Sequence, residues 1–145
     1  EVDAWDINEN SIQKLNDIIQ SEQIGNIHPA IRDLNQNPDI HDQYDLICCT
    51  VVMMFLESTT IPPLIQQMQN ATKPQGFNLI VCAMDSEDYP AQPDFPFAFK
   101  PGELSAYYRD WTIIKYNEEI GELHRTDENG NRIKQRFSTL LAQKT

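Results

Sequence analysis

Tyr44-Asp45-Leu46-Ile47-Cys48-Cys49-Thr50-Val51-Val52-Met53-Met54-Phe55-Leu56 is the longest apolar run in the chain, and a single polar residue, Thr50, breaks its middle. A short apolar run bounded by loop signals suits a strand buried on both faces, but thirteen residues are too many for one such strand. The spacing therefore predicts a strand over 44–49, a polar exit at Thr50, and a short apolar helix or turn over 51–56. In open parallel sheets ligands gather outside the carboxyl ends of the strands. Thr50 stands at such an end.

Upstream of this run, Glu1 to Asp6 (EVDAWD) reads as a strand ending in an acid. Asn8 can cap a helix that carries Ile12, Leu15, Ile18 and Ile19 on one face, with Gly25 as its stop. Residues 27–32 form a second short strand. Pro29 places it at a sheet edge, and Asp33 follows it. Residues 35–43 are a polar loop.

Downstream, Ser58, Thr59 or Thr60 can cap a helix over 61–71, with Pro62 and Pro63 tolerated in its first turn. Ile61, Leu64, Ile65 and Met68 form its apolar stripe. Lys73-Pro74-Gln75-Gly76 is a turn signal before a strand over 77–84, which Asp85 follows. Residues 85–99 are a long loop with three prolines and the aromatics Tyr89, Phe95, Phe97 and Phe99. Such a loop serves as a lid, or its aromatics pack it onto the core. A short helix over 103–109 leads to an extended segment over 112–126. Asn129-Gly130 is a hairpin signal before a last strand over 131–143.

Strands alternating with helices predict one α/β domain over 1–145, a three-layer sandwich on a mainly parallel sheet. The antiparallel hairpin at its end suits the Rossmann-like methyltransferase architecture better than the dehydrogenase one.

With 145 residues, a net charge of −11 and a pI near 4.5, the chain is a poor partner for nucleic acid or an anionic membrane surface. A small anionic substrate would need a local basic pocket. No apolar stretch reaches the eighteen or so residues of a membrane span, and no basic leader opens the sequence. Cys48, Cys49 and Cys82 are odd in number, lie in apolar runs and have no histidine at ligand spacing. They read as buried free thiols of a reducing, cytoplasmic compartment, and no metal is expected.

Candidate chemistry falls in two places. Asp6, Asp33 and Asp85 each follow a strand, where a carboxylate can accept from ribose hydroxyls or an adenine amine, or simply cap the next helix or solvate a loop. In the hairpin, a two-residue turn at Asn129-Gly130 would set Asp127 opposite Arg132 and Arg125 opposite Lys134, all on one face. His124 would then point to the other face with Ile133 and Phe137. Arg125 and Arg132 could clamp a small oxyanion, or they could be part of a solvated basic stripe. His124 is a catalyst or a satisfied edge histidine. A bulge would re-aim all of them.

Val2-Asp3-Ala4-Trp5-Asp6, Tyr44-Asp45, Thr50-Val51-Val52, Met54-Phe55-Leu56-Glu57 and Thr60-Ile61-Pro62 carry a family resemblance. So do Thr72-Lys73-Pro74, Asn78-Leu79-Ile80-Val81, Ala83-Met84-Asp85, Phe95-Pro96-Phe97-Ala98-Phe99-Lys100 and Gly102-Glu103-Leu104. It continues through Gly121-Glu122-Leu123-His124-Arg125-Thr126-Asp127 and Asn129-Gly130-Asn131-Arg132-Ile133-Lys134. On these residues the chain resembles the tellurite-resistance methyltransferases of the TehB type along its whole length. The resemblance implies an S-adenosylmethionine-dependent enzyme that methylates tellurite, selenite and related oxyanions. It implies that Asp6 holds the cofactor's ribose, Ile7 lies against adenine, Asp33 and Leu34 bracket the adenine, and Thr50 lines the cofactor. His124, Arg125 and Arg132 match the family's substrate-binding and methyl-transfer residues, with His124 able to take a proton from the acceptor.

The family's glycine-rich Asp-x-Gly-x-Gly loop has no counterpart, since no two of the five glycines form Gly-x-Gly. Lys73-Pro74-Gln75-Gly76 also stands where Lys-Pro-Gly-Gly is commoner. The resemblance therefore implies an N-terminally truncated domain. The competing readings are a non-catalytic fragment or partner-binding module, a methyltransferase for another soft nucleophile, and a nicotinamide-binding oxidoreductase, which lacks its phosphate loop.

Overall fold

Residues 1–39 build a strand-helix-strand unit in the computed structural model, which describes all 145 residues. The chain divides into two units, Glu1–Asp39 and Ile40–Thr145. In the first, β1 (Val2–Asp6) and β2 (Ile27–Ile31) are parallel, in register from Val2 opposite Ile27 to Asp6 opposite Ile31. Between them α1 (Glu9–Glu22) starts where expected, with the Asn8 side chain accepting from the Ser11 N–H at 3.2 Å. It does not stop at Gly25. Gln23 takes the left-handed position at φ 57°, its N–H bonding Gln20 O, while the Ile24 N–H bonds Ile19 O. This Schellman arrangement satisfies the last carbonyls before the glycine is reached. Of the expected apolar stripe, Ile12 is buried, Leu15 and Ile19 are half-buried, and Ile18 is exposed.

β2 ends at Ile31, one residue earlier than expected, and Arg32 stands just beyond it. Its N–H bonds Asp6 O, its guanidinium lies 3.9 Å from the Trp5 ring centroid, and Nε donates to Asn37 O at 3.1 Å. A second nitrogen donates to Asp39 O. One cation thus ties the 33–39 loop to the end of β1.

The second unit holds a four-stranded sheet, β3 (Tyr44–Thr50), β4 (Thr72–Ala83), β5 (Thr112–Thr126) and β6 (Arg132–Gln143), in the order β3-β4-β6-β5. β3 and β4 are parallel, and the other two pairings are antiparallel. The expected single, mainly parallel sheet is therefore seen as a parallel pair and a mixed sheet. The Tyr44 strand is not buried on both faces. It lies at the edge of its sheet, where alternation buries Cys49 but exposes Cys48 and leaves Leu46 52% exposed. The expectation of three buried thiols is corrected accordingly.

After Thr50 the apolar residues fold into a 3-10 turn, Met53–Phe55, with Met53 and Met54 fully buried. α2 (Ile61–Ala71) follows, and its stripe of Ile61, Leu64, Ile65 and Met68 is buried as its spacing requires. The Lys73-Pro74-Gln75-Gly76 segment is an irregularity within β4, not a turn before it. Pairing with β3 jumps from Tyr44–Thr72 to Leu46–Phe77. Gln75 carries φ 64° there, and Gly76 passes so close to β3 that a Cβ would stand 2.9 Å from Asp45 O. Only glycine fits at 76.

α3 (Glu103–Tyr107) is shorter than expected, giving way to turns that bury Tyr108. Tyr108 Oη donates to Asn78 Oδ1 at 2.8 Å, Asn78 Nδ2 to Thr72 Oγ1 at 2.7 Å, and Thr72 Oγ1 to Met68 O at 2.7 Å. This chain of buried bonds runs from the α3 turn through β4 to α2. Lys144 closes the end of α2, donating to Gln69 O and Thr72 O, each at 2.7 Å.

Candidate functional site

In the first unit the parallel register sets the carboxyl ends of β1 and β2 side by side, so Asp6-Ile7 and Asp33-Leu34 share one edge. Asp6 is exposed, and its Oδ1 accepts from the Asn8 N–H at 2.8 Å. A carboxylate has several lone pairs, so this turn contact leaves acceptor capacity facing solvent. Ile7 beside it is 63% exposed. Asp33 is half-buried and accepts from the Asn35 N–H at 2.9 Å, with half-buried Leu34 next to it. An acceptor and two apolar side chains at paired strand ends fit the ribose and adenine of a nucleoside. Asp85 does not share this freedom. It is ion-paired with Lys100, accepts from the Ala91 N–H, and is held below the usual carboxylate range chiefly by the Lys100 bond.

Thr50 ends β3, exposed, opposite Val81. Val51 follows with φ 59° and donates its N–H to Val81 O at 2.7 Å. A β-branched residue in the left-handed region is a genuine outlier, with strain of about 1–3 kcal/mol. No pattern in the sequence announces it. Such strain concentrates where a backbone must present itself to a ligand, and Val51 is 50% exposed at a strand end.

The hairpin departs from the simple turn. It closes over three residues, 128–130, with the Gly130 N–H on Asp127 O and the Asp127 N–H on Asn131 O. Gly130 sits at φ 81°, a type I turn followed by a left-handed glycine. Asp127 selects the longer loop, because its Oδ1 accepts from the Asn129 and Asn131 N–H groups, each at 2.9 Å. Below the turn Thr126 pairs with Arg132 and Glu122 with Lys134, so 123–125 oppose Ile133 alone. Asp127 therefore does not face Arg132, nor Arg125 Lys134.

This bulge brings His124 and Arg132 together, where the simple hairpin separated them. Arg132 Nη2 lies 3.2 Å from His124 Nδ1, and Arg132 Nε donates to Leu123 O at 2.9 Å. A guanidinium has no acceptor, so Nδ1 must be the acceptor and the neutral ring carries its proton on Nε2. Arg132 also lines an open groove of about 730 Å³ with Glu122, Asp127, Gly130, Asn131, Ile133 and Lys134.

Arg125 engages the long loop. Its two terminal nitrogens meet the two oxygens of Asp94, both at 2.7 Å. The guanidinium also lies 5.5 Å from the Phe95 ring centroid, and Phe95 packs edge-on against Phe55. Arg136, absent from the sequence reading, binds Asp88 and donates to Glu118 O. The Arg136 bond holds Asp88 down at about 2. Alternation along β6 was the available signal, since 132, 134 and 136 share a face. The 85–99 loop is thus fastened by three ion pairs, at Lys100, Arg136 and Arg125.

Desolvation raises even the exposed Cys48 thiol. Burial pushes the Cys49 and Cys82 thiols up to about 12. The structure brings His124 and Arg132 together, with Glu122 3.8 Å from Arg132 Nε, while Arg125 is turned to Asp94 of the long loop. A guanidinium beside an imidazole is a pair of donors that can serve an oxygen anion. No helix is long and apolar enough to cross a membrane.

A family model described as tellurite resistance protein TehB matches residues 1–141. The probable S-adenosyl-L-methionine-dependent methyltransferase TehB of Haemophilus influenzae strain 10810 is 49% identical over 144 residues, which are 99% of this chain and 50% of that protein. The crystal structure of TehB from Haemophilus influenzae matches with a TM-score of 0.94 at 48% identity, covering 100% of this chain and 50% of that one. The N-methyltransferase NodS from Bradyrhizobium japonicum WM9, in complex with S-adenosyl-L-homocysteine, matches with a TM-score of 0.65 at 14% identity. That match covers 98% of this chain and 65% of that one and speaks for the fold alone. The chain spans about half the length of the curated relatives it matches. Its fold class is the one expected, α/β of the Rossmann-like methyltransferase type.

Proposed function

The chain belongs to the TehB tellurite-resistance family, and from that premise we propose that the full protein is an S-adenosylmethionine-dependent methyltransferase acting on tellurite, selenite and related chalcogen oxyanions. The observation that carries the acceptor reading is the hydrogen-bonded His124–Arg132 pair, which the hairpin bulge assembles beside a groove. In a chain of net charge −11, Arg132 and Lys134 offset Glu122 and Asp127 in this groove, and an incoming anion would take the place of Glu122 beside Arg132.

Asp6 would accept from the ribose hydroxyls, with Ile7 against the adenine. Asp33 and Leu34 would bracket the adenine, and Thr50 would line the cofactor. When bound, the cofactor supplies an electrophilic methyl group on a sulfonium. The chain's own part is to hold the acceptor still with its chalcogen lone pair in line with that carbon, and such positioning accounts for much of the acceleration in displacements of this kind. Arg132 and Arg125 would bind oxyanion oxygens. His124 would donate from Nε2, since its Nδ1 already serves Arg132. Proton abstraction by His124 would require Arg132 to release Nδ1. We place the reaction in the cytoplasm, in keeping with three unpaired thiols.

The test is conversion of selenite or tellurite to a methylated product by the full protein with S-adenosylmethionine supplied. Arg132→Ala should lower kcat/KM for the oxyanion at least tenfold while leaving cofactor affinity within about twofold. No methylated product from a protein that binds the cofactor would favour another soft nucleophile. Absence of cofactor binding would favour a partner-binding role.

A further inference from the structure

Of the three ion pairs that fasten the 85–99 loop, two are reinforced by a backbone bond. Asp85 binds Lys100 and also the Ala91 N–H, and Arg136 binds Asp88 and also Glu118 O. The third is different. Arg125 meets Asp94 through both terminal nitrogens, Nη1 to Oδ2 and Nη2 to Oδ1, each at 2.7 Å. This is the side-by-side fork that a guanidinium offers any planar or pyramidal oxyanion. Both side chains remain open to water, Arg125 at 44% and Asp94 at 58%. An exposed pair of this kind is readily exchanged for another anion. The next residue, Phe95, lies near the same guanidinium and edge-on against the half-exposed Phe55, so Arg125 touches the loop at two successive residues.

We propose that Asp94 is an internal stand-in for the acceptor: its carboxylate occupies the Arg125 fork until an incoming oxyanion displaces it and releases the 92–97 segment. The proposal rests on Arg125 being an anion site. It adds a residue that sets acceptor affinity without touching the acceptor. An internal competitor reduces apparent affinity by the fraction of molecules in which the fork is free. With the fork occupied in most molecules, removing the carboxylate should tighten anion binding by about three- to tenfold.

Selenite is titrated calorimetrically into the full protein, its Asp94→Asn, Asp94→Glu and Arg125→Ala variants, and the Asp94→Asn/Arg125→Ala double variant. Hydrogen exchange of 92–97 is followed with and without selenite. Asp94→Asn should bind selenite about three- to tenfold more tightly and lower KM with little change in kcat. Asp94→Glu, which keeps a carboxylate, should return toward the parent. The double variant should match Arg125→Ala. Selenite should speed exchange at 92–97 in the parent and leave it unchanged in Asp94→Asn, where the segment is already free. Unchanged or weaker binding by Asp94→Asn, with Arg125→Ala still impaired, overturns the stand-in and leaves the anion-site reading intact. Parent-like selenite binding by Arg125→Ala overturns both.

Discussion

Arg132 and His124 are eight residues apart in sequence and 3.2 Å apart in space, guanidinium Nη2 to imidazole Nδ1. The pairing exists because 123–125 bulge opposite Ile133, and the bulge exists in the same hairpin that Asp127 widens to a three-residue loop. The bulge, a second irregularity below the turn, thus decides which hairpin side chains meet, and through them which nitrogen of the imidazole is offered to a ligand.

That assignment makes a prediction for His124. If Nε2–H is the working atom, a glutamine, whose amide nitrogen reaches a similar point, should substitute better than an asparagine. His124→Ala should lower kcat/KM by about 10- to 100-fold, the scale of a lost donor to an oxyanion. His124→Gln should recover several-fold of that, and His124→Asn little. Steady-state kinetics with selenite would read the order directly. Equal loss in all three would instead assign His124 to proton abstraction.

The loop should respond to acid at Asp88. Its carboxyl is lowered to about 2 by the Arg136 bond first and the Ser86 hydroxyl second. A group whose pKa is depressed on folding contributes stability that is present above its unfolded value and lost as pH falls through the folded one. The window is therefore from about pH 4 down to about 2. Hydrogen exchange of 86–91 should rise as pH drops through that window, and Arg136→Met should move the rise up toward pH 4. A loop indifferent to acid over this range would mean that the Asp88–Arg136 pair does not hold it.

Gln75 gives a third prediction. A non-glycine residue at φ 64° carries strain of about 1 kcal/mol or more. Gln75→Gly should relieve it, offset by the greater freedom glycine has when unfolded and by a weak bond from Gln143 Nε2 to Gln75 Oε1 at 3.4 Å. The net effect expected is a stabilisation of up to about 1 kcal/mol in chemical denaturation. Gly76→Ala one position on should do the opposite and cost more, because the added Cβ meets the Asp45 and Lys73 carbonyls at 2.9 Å. The contrast between neighbours separates a strained backbone from a crowded one.

Much of this architecture was legible in the sequence because periodicity reports burial. The α2 stripe, the Asn8 cap, the exit at Thr50 and the long β5–β6 ribbon all follow from patterns a few residues long. The left-handed residues did not show, since Gln23, Val51 and Gln75 adopt positions where glycine is the usual signal. An apolar run reads alike in a central and an edge strand, so the edge position of β3 could be expected only from the family's strand order, in which its neighbour has no counterpart here. It was the family resemblance, more than residue type, that singled out His124, Arg125 and Arg132, and their partners were not legible. No residue type in 123–125 announces the bulge. The Asp94–Arg125 contact spans 31 residues, beyond any local pattern.

The buried bonds at Asn78 supply the last prediction. Asn78 is fully buried, with its amide nitrogen on Thr72 Oγ1 and Phe77 O and its carbonyl taking the Tyr108 hydroxyl. Burial raises the Tyr108 hydroxyl well above the ordinary phenol value, so it stays protonated and a donor at any working pH. Tyr108→Phe removes that donor and leaves Asn78 Oδ1 buried without a partner. The cost should be about 1–3 kcal/mol, the desolvation penalty of an orphaned acceptor. Replacing the acceptor as well should not double the loss. In the Asn78→Leu/Tyr108→Phe pair the hydroxyl and the orphan are both gone, so the double variant should be less destabilised than the sum of the single ones. Denaturant unfolding of the four proteins measures the coupling. Additive losses would mean that the hydroxyl and the amide act independently, and that the path from α3 to α2 is held by packing alone.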